Sequence, residues 1–208
     1  MKFDELNQLK RYYSVMEIPQ KEKDKRVSLA MFFYDIFLYV LVMIRTELKI
    51  DETKASKEGK PVEKKIDKDF YIKSLNGRIR DILEENNLPY DENYIPQLTK
   101  DVIDATERHL DEEYYFSKER ALLIAQNEAN TVYNSVDFNK AKTEGKKYKR
   151  WVTEKDERVR PAHMLVDEEK IPINEMFKVG GDEMRFPHDY ENGSPGNLIN
   201  CRCTCVYE

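Results

Sequence analysis

Residues 151–163 read WVTEKDERVRPAH, and residues 200–203 read NCRC. These two segments place an indole, carboxylates, guanidinium groups, an imidazole and two thiols close together near the end of the chain. Side chains of such different chemistry predict the polar core of a small, loop-rich domain, in which the guanidinium groups and Asp156 form a buried ion-pair cluster. The residues expected to form that core are Trp151, Asp156, Arg158, Arg160, His163, Asn200, Cys201, Arg202 and Cys203.

Short strands are predicted around these two segments. Side chains alternate in character over residues 147–152, and a second strand is expected from Ile199 to Tyr207. Proline and glycine break the chain between them into short elements. Residues 147–208 therefore indicate a small α+β unit.

The rest of the chain is predicted to be mostly helical. Apolar residues recur at helical spacing over 70–83 and 95–115, and Ser117 fits the N-cap of a further helix over 117–141. The fold class is α+β, with a mostly helical N-terminal part followed by a small α+β C-terminal domain with short strands and irregular loops. We place one domain at 1–116, a helical region expected to contact a partner, and the other at 117–208.

Two segments of the helical part have unusual composition. Residues 27–44 form an apolar run with a single charge, Asp35, whose length is the lower limit for crossing a bilayer. A buried helix of a bundle has the same composition, and we expect such a helix over about 20–48. Residues 51–69 are charged and contain Gly59 and Pro61, which predicts a solvated loop.

The charge balance excludes a globally basic nucleic-acid-binding protein, because 40 Asp and Glu outnumber 35 Lys and Arg. One basic run begins at the end of the helix of 117–141 and continues beyond it, and clustered cations suffice to contact DNA phosphates. The same run also suits a solvated helix end near the C-terminal dipole, and both interpretations stay open. The candidate DNA-contacting residues are Lys140, Lys142, Lys146, Lys147, Lys149 and Arg150.

All three cysteines lie within residues 201–205, which does not resemble the disulfide framework of a secreted protein. His163, Cys201 and Cys203 are candidate zinc ligands, since imidazole and thiolate are the usual donors to zinc, and the fourth ligand would be Cys205 or His188. The alternative, which we favour, needs no cofactor: the cysteines are small buried strand residues and His163 makes structural hydrogen bonds.

Cys201 or Cys203 can also form a thiol–imidazole pair with His163 for nucleophilic catalysis. Such a pair needs an orienting partner, for which Asp156, Asp167 and Asn200 are candidates. The sequence shows no oxyanion-hole motif, phosphate loop or dinucleotide fingerprint, and it is largely silent about catalysis.

From about Ser117 to the C-terminus the sequence resembles the phage Mu protein F-like family, the minor head or head morphogenesis proteins of tailed bacteriophages. A Phe186-Pro187-x-Asp189 turn before the closing motif is also similar to the family. The motifs that carry the resemblance are Arg120…Ile124-Ala125-x-x-Glu128, Trp151…Asp156-x-Arg158-Val159-Arg160-x-x-His163, Ile171-Pro172…Phe177 and Asn200-Cys201-Arg202-Cys203.

Three positions depart from the family pattern. Gln126-Asn127-Glu128 stands where relatives often have Arg-Thr-Glu, and Val166-Asp167-Glu168 replaces the usual Leu-Asp-Gly, so the expected glycine turn is missing. Some relatives have a cysteine pair where this chain has Arg160 and His163. With Arg160 in the first of these positions, the set is one zinc ligand short.

The resemblance implies a non-enzymatic virion component inside the phage head near the portal, present in the host cytoplasm during assembly. It would act in head morphogenesis, DNA packaging or DNA ejection. Implied partners are the portal protein, the major capsid or scaffold protein and non-specific double-stranded DNA, with membrane contact only during ejection. The alternatives are a zinc-binding interaction module and a Cys/His-dependent enzyme or toxin domain.

Overall fold

The computed structural model describes residues 2–59, 61 and 64–208. Long helices in the N-terminal part and short antiparallel strands in the C-terminal part confirm the predicted α+β class. The helices are α1 (Lys2–Ser14), α2 (Gln20–Glu58), α3 (Lys68–Glu85), α4 (Tyr94–Arg108), a 3-10 helix (Glu113–Phe116), α5 (Lys118–Thr143), α6 (Pro161–Met164) and α7 (Pro195–Leu198). The strands are β1 (Tyr148–Val152), β2 (Lys170–Pro172), β3 (Phe177–Val179), β4 (Asp182–Met184) and β5 (Thr204–Tyr207).

The chain divides into two compact units, one formed by residues 1–31 and 125–208 and the other by residues 32–124. The divisions fall within α2 and within α5. The domain boundary between residues 116 and 117 is drawn from sequence pattern and stays a prediction.

The unit of residues 32–124 is held together by helix packing. α3 begins after Asp67, whose carboxylate accepts a hydrogen bond from the Phe70 N–H at 3.1 Å, and it packs against α4 through residues buried every fourth position. Arg120 is 7% exposed and donates to Thr106 Oγ1 at 2.9 Å and to the Val102 carbonyl at 3.2 Å. The buried residues of α3 are Tyr71, Leu75, Ile79 and Leu83.

α2 is longer than the sequence predicted, and the predicted loop over 51–69 is wrong for residues 51–58, which belong to α2, and for residues 68 and 69, which begin α3. The helix continues to Glu58 and ends before Gly59, which has a φ of 64°. Residues 51–58 are rich in Lys, Glu and Ala, which favour a helix even when fully solvated, and they lack Gly and Pro. Residues 60, 62 and 63 of the predicted loop lie outside the described residues.

α2 is also long and apolar enough to cross a membrane, and 56% of its most apolar 18-residue window is buried. The core helix of a soluble protein meets the same criteria, so membrane contact stays untested. One face of α2 buries Phe33, Phe37 and Ile44, each 0% exposed. A second face, here called the apolar stripe, exposes Phe32, Tyr39 and Val42 by 42%, 48% and 48%.

β1 is the central strand of a three-stranded antiparallel sheet with the order β2-β1-β5, which confirms the strand predicted over 147–152. Trp151 of β1 is fully buried, and its ring lies edge-on to Phe177 with centroids 5.2 Å apart. The strand predicted from Ile199 is shorter than expected, because β5 begins only at Thr204.

Arg26, near the start of α2, is a fully buried charge. Its guanidinium donates to Glu22 Oε1 at 2.8 Å, to Asn130 Oδ1 at 3.0 Å and to Asn134 Oδ1 at 3.0 Å, and it lies over the Tyr133 ring. A buried guanidinium is tolerated because its donors are satisfied in this way. The network fixes α5 against the first turns of α2.

Arg26→Ala is expected to lower the free energy of unfolding by about 3 kcal/mol, because it leaves buried amide oxygens without donors and opens a cavity. Urea denaturation followed by circular dichroism measures the change. Lys25→Ala, at an exposed neighbouring position, is the control and should stay within about 0.5 kcal/mol of the original protein. Equal effects of the two changes would contradict the proposed importance of the network.

Candidate functional site

Three asparagines of α5 hold the backbone of the Asn200–Cys203 segment. Asn127, Asn130 and Asn134 are buried, and their spacing places them along one side of the helix. Asn127 Oδ1 accepts from the Asn200 N–H at 2.8 Å, Asn130 Nδ2 donates to the Cys201 carbonyl at 3.3 Å, and Asn134 Nδ2 donates to the Cys203 carbonyl at 3.4 Å. Sequence reasoning missed these residues, although their spacing was a visible signal.

This arrangement explains why the predicted strand from Ile199 to Tyr207 is wrong before Thr204. Asn200 has a φ of 60°, the left-handed conformation, which asparagine tolerates better than most residues. The backbone polar groups that a strand would pair within a sheet are bonded instead to side chains of α5.

Cys201 and Cys203 converge on His163, which lies on α6. His163 Nδ1 is 3.4 Å from Cys203 Sγ and 3.6 Å from Cys201 Sγ, and the three side chains are 1%, 2% and 2% exposed. The Trp151 indole lies edge-on to the imidazole, with ring centroids 5.7 Å apart. The structure therefore brings together the three residues that the sequence suggested as zinc ligands.

The orienting partner of His163 is Asn197, which the sequence reasoning did not identify. Asn197 Oδ1 lies 3.3 Å from His163 Nε2, while Asn197 Nδ2 donates to the Val179 carbonyl at 2.9 Å and to Asp182 Oδ2 at 2.7 Å. Gly180 allows this approach: a Cβ there would lie 2.8 Å from Asn197 Oδ1, and its φ is 58°. Asp156, Asp167 and Asn200, proposed for the orienting role, make other contacts.

The two residues suggested as a fourth zinc ligand are not part of this cluster. His188 Nε2 donates to the Cys201 carbonyl at 2.7 Å. Cys205 pairs with Trp151 in the β1–β5 ladder, and burial raises the pKa of its thiol to about 12. Glu154 does line the pocket beside His163 and both clustered cysteines, and burial raises its pKa to about 7.

A thiol–imidazole pair is present in geometry, but it is enclosed. The hydrogen bond between the two thiols lowers the pKa of Cys201 well below its usual range, whereas the same contact and burial raise the pKa of Cys203. Both sulfur atoms belong to side chains that are 2% exposed. A nucleophile must reach its substrate, so this burial favours a structural role over a catalytic one.

The predicted arginine cluster is only partly formed. Arg202 is 6% exposed and makes a bidentate pair with Asp156, with N–O distances of 2.8 and 2.5 Å, which lowers the pKa of Asp156. Arg160 donates to the Ile199 carbonyl. The prediction is wrong for Arg158, whose side chain is 67% exposed and lies 4.0 Å from Asp156, because the Arg202 fork occupies both carboxylate oxygens.

The chain makes a left-handed turn at Glu168, the position where the family pattern has glycine. Glu168 has a φ of 63°, in the left-handed region where glycine is preferred. Its carboxylate pairs with Arg150 and, at 2.8 Å, with Lys155. Asp167 Oδ1 accepts from the Thr153 N–H at 2.8 Å and ties the turn to the end of β1.

The six side chains of the basic run do not lie on one surface. Lys149 is 0% exposed and donates to the Arg185 carbonyl at 2.5 Å, so it is wrong as a candidate DNA contact. Arg150 is 29% exposed and pairs with Glu168, and its contact with DNA stays a prediction. Lys149 faces inward because side chains alternate between the two faces of β1. The number of charges in the sequence does not reveal this alternation. The remaining candidates are exposed or half-buried: Lys140, Lys142, Lys146 and Lys147.

The comparisons with known proteins agree with the sequence resemblance. The model of the family described as phage Mu protein F like protein matches residues 92–206. The NAD(+)--arginine ADP-ribosyltransferase EFV of Enterococcus faecalis is 30% identical over 104 residues, which are 48% of this chain and 21% of that protein. The chain thus spans about a fifth of the length of the curated relative that it matches. No solved structure matches.

Burial lowers the pKa of Lys149 to about 8, and this makes a prediction for stability. Between pH 8 and pH 10 the unfolded chain holds this proton and the folded chain does not, so folding becomes more favourable as pH rises. The stability of the original protein relative to Lys149→Met should therefore increase by up to about 3 kcal/mol from pH 7 to pH 10.

Urea denaturation across this pH range measures the difference. Lys147→Met, at an exposed neighbouring position, is the matched control and should show a constant offset from the original protein. A constant offset for Lys149→Met as well would mean that Lys149 is not desolvated in the folded state.

Proposed function

Because the chain belongs to the phage Mu protein F like family, we propose that it is a minor head protein of a tailed bacteriophage. The family points to head morphogenesis and to a virion component. The finer assignment, also part of the proposal, is a minor capsid protein inside the head near the portal. It is present in the host cytoplasm during assembly and acts in head morphogenesis, DNA packaging or DNA ejection.

A structural role is best supported by the internal contacts of the family motif, most of whose side chains make contacts inside the protein rather than face solvent. His163, Cys201 and Cys203 are each at most 2% exposed, and Arg202 is paired with Asp156. The pocket that these side chains line has a volume of about 10 Å³, which is too small to admit a substrate. We therefore propose that the protein is not an enzyme.

The name of the enterococcal relative raises arginine ADP-ribosylation as a second candidate. That activity belongs to a protein of which this chain covers 21%, so the match alone does not transfer it. Incubation with labelled NAD+ and an arginine-rich acceptor is expected to give no transfer. Transfer that is abolished by a substitution in this chain would contradict the non-enzymatic proposal.

The helical region of 1–116 is proposed to contact the portal protein. The apolar stripe of α2 supports this proposal, since Phe32, Tyr39 and Val42 expose large apolar side chains on one helix. Tyr39 and Val42 line one groove with Leu38 and Met43, and exposed apolar surface is typical of interaction sites. The major capsid or scaffold protein is the alternative partner.

Val42→Glu is expected to reduce co-purification of the chain with the portal by more than about tenfold, because a carboxylate would be desolvated at the contact. The measurement is affinity capture of the portal protein of the same phage, with parallel captures of capsid and scaffold proteins. Thr53→Glu adds the same charge at an exposed position of α2 outside the stripe and should not reduce capture.

Proheads and virions test the broader proposal. The chain should be present in both after gradient purification, and its absence from both would overturn the assignment as a head protein. Flotation with liposomes separates the portal contact from membrane insertion. Flotation lost in Val42→Glu but retained in Thr53→Glu would instead assign the stripe to a membrane.

Double-stranded DNA is proposed as a weak, sequence-independent partner of the four accessible lysines, Lys140, Lys142, Lys146 and Lys147. Replacing all four with alanine is expected to reduce the slope of log affinity against log salt by about 3 to 4. Titrations of labelled duplex at several salt concentrations measure the slope. Lys149→Met is the control and should leave it unchanged; an equal reduction there would contradict the assignment to the accessible lysines.

A further inference from the structure

Two sulfur atoms approach the same nitrogen of one buried imidazole. His163 Nδ1 lies 3.4 Å from Cys203 Sγ and 3.6 Å from Cys201 Sγ, and all three atoms lie within 4.8 Å of one another. Neutral imidazole offers one lone pair at an unprotonated nitrogen, so only one thiol can donate a hydrogen bond to it. The second sulfur then lies against that nitrogen without donating a hydrogen bond to it.

The hydrogen bonds around His163 identify Nδ1 as the unprotonated nitrogen. Asn197 Nδ2 is committed to the Val179 carbonyl and to Asp182, so Asn197 presents its Oδ1 to His163 Nε2 as an acceptor. The proton of the neutral ring is therefore on Nε2. This is the usual arrangement of a metal-binding histidine, whose second nitrogen donates to a fixed oxygen.

The distances fit a tetrahedral ion. Zinc bonds of about 2.3 Å to sulfur and about 2.1 Å to nitrogen require a nitrogen–sulfur separation of about 3.6 Å at tetrahedral angles. The separations from His163 Nδ1, 3.4 and 3.6 Å, match this value to within 0.2 Å. The donor set of one imidazole and two thiolates also suits zinc better than a hard cation such as magnesium.

In the part of the chain that the structure describes, Glu154 is the one carboxylate that lines the pocket of the cluster, although it is not among the ligand atoms that lie within 4.8 Å of one another. It lines the same pocket as His163, Cys201 and Cys203, and neither of its buried carboxylate oxygens has a hydrogen-bond partner among the described residues. Carboxylate oxygen is an ordinary zinc donor. We propose that His163, Cys201 and Cys203 bind one zinc ion, and that the Glu154 side chain turns toward the ion from its side of the pocket to supply the fourth ligand.

Such an ion would be structural. It would link α6 to the segment before β5 beneath the Trp151 ring, in a region whose backbone follows loops rather than a sheet. Because the ligands must be deprotonated and assembled, zinc binding would contribute to folding of the unit of residues 1–31 and 125–208. The inference is independent of the proposed role in the phage head.

The test uses the full chain purified under reducing conditions. Elemental analysis is expected to find zinc equimolar with protein. Replacement of that zinc by Co2+ should give a thiolate-to-cobalt charge-transfer band. Cys203→Ser should weaken zinc affinity by more than about 100-fold, because a ligand is lost, whereas Cys205→Ser is the matched control and should bind normally.

If Cys203→Ser fails to fold, metal uptake by the original protein, followed by its Co2+ spectrum, still tests the site. A folded, reduced original protein that takes up neither Zn2+ nor Co2+ would overturn the site. Equal loss in Cys205→Ser would also overturn it, since that thiol lies outside the cluster. Glu154→Gln should weaken affinity about tenfold, and an unchanged affinity would overturn the assignment of Glu154 as the fourth ligand.

Discussion

The arrangement of the unit of residues 1–31 and 125–208 depends on hydrogen bonds from α5 to a stretch of backbone that belongs to no sheet. Asn127, Asn130 and Asn134 bond the Asn200–Cys203 segment, and Arg26 binds the side-chain oxygens of Asn130 and Asn134. Because each amide has one oxygen and one nitrogen end, the guanidinium fixes which end faces the segment. A buried charge on α2 thereby orients two amides that hold Cys201 and Cys203 in place.

The clustered side chains follow from that backbone path. With its carbonyls held by α5, the segment turns Cys201 and Cys203 toward His163, while Arg202 between them points away to Asp156. Successive side chains of the Asn-Cys-Arg-Cys motif thus face opposite sides of one loop. Its thiols face the buried imidazole and its guanidinium closes an ion pair, which accounts for the close spacing of such unlike residues.

Patterns set by a single element were predictable, whereas contacts between elements were not. Helical periodicity, the Ser117 cap and strand β1 follow from local sequence, and Ser117 Oγ does accept from the Arg120 N–H at 3.2 Å. Burial of Lys149 and pairing of Asn197 with His163 depend on neighbours far along the chain. Polar residues within a helix, such as Asn130, look solvated until their partner is known, so sequence alone undervalues them.

Glu168 has a left-handed backbone conformation, to which glycine would be better suited. Asp167 and Glu168 anchor the turn on both sides through Thr153 and Lys155, so its surroundings impose the conformation. The left-handed conformation is strained for a glutamate, and the Glu168 carboxylate makes surface ion pairs that a glycine could not make. This backbone should therefore accept glycine or asparagine in place of Glu168, whereas a β-branched residue would be strained there.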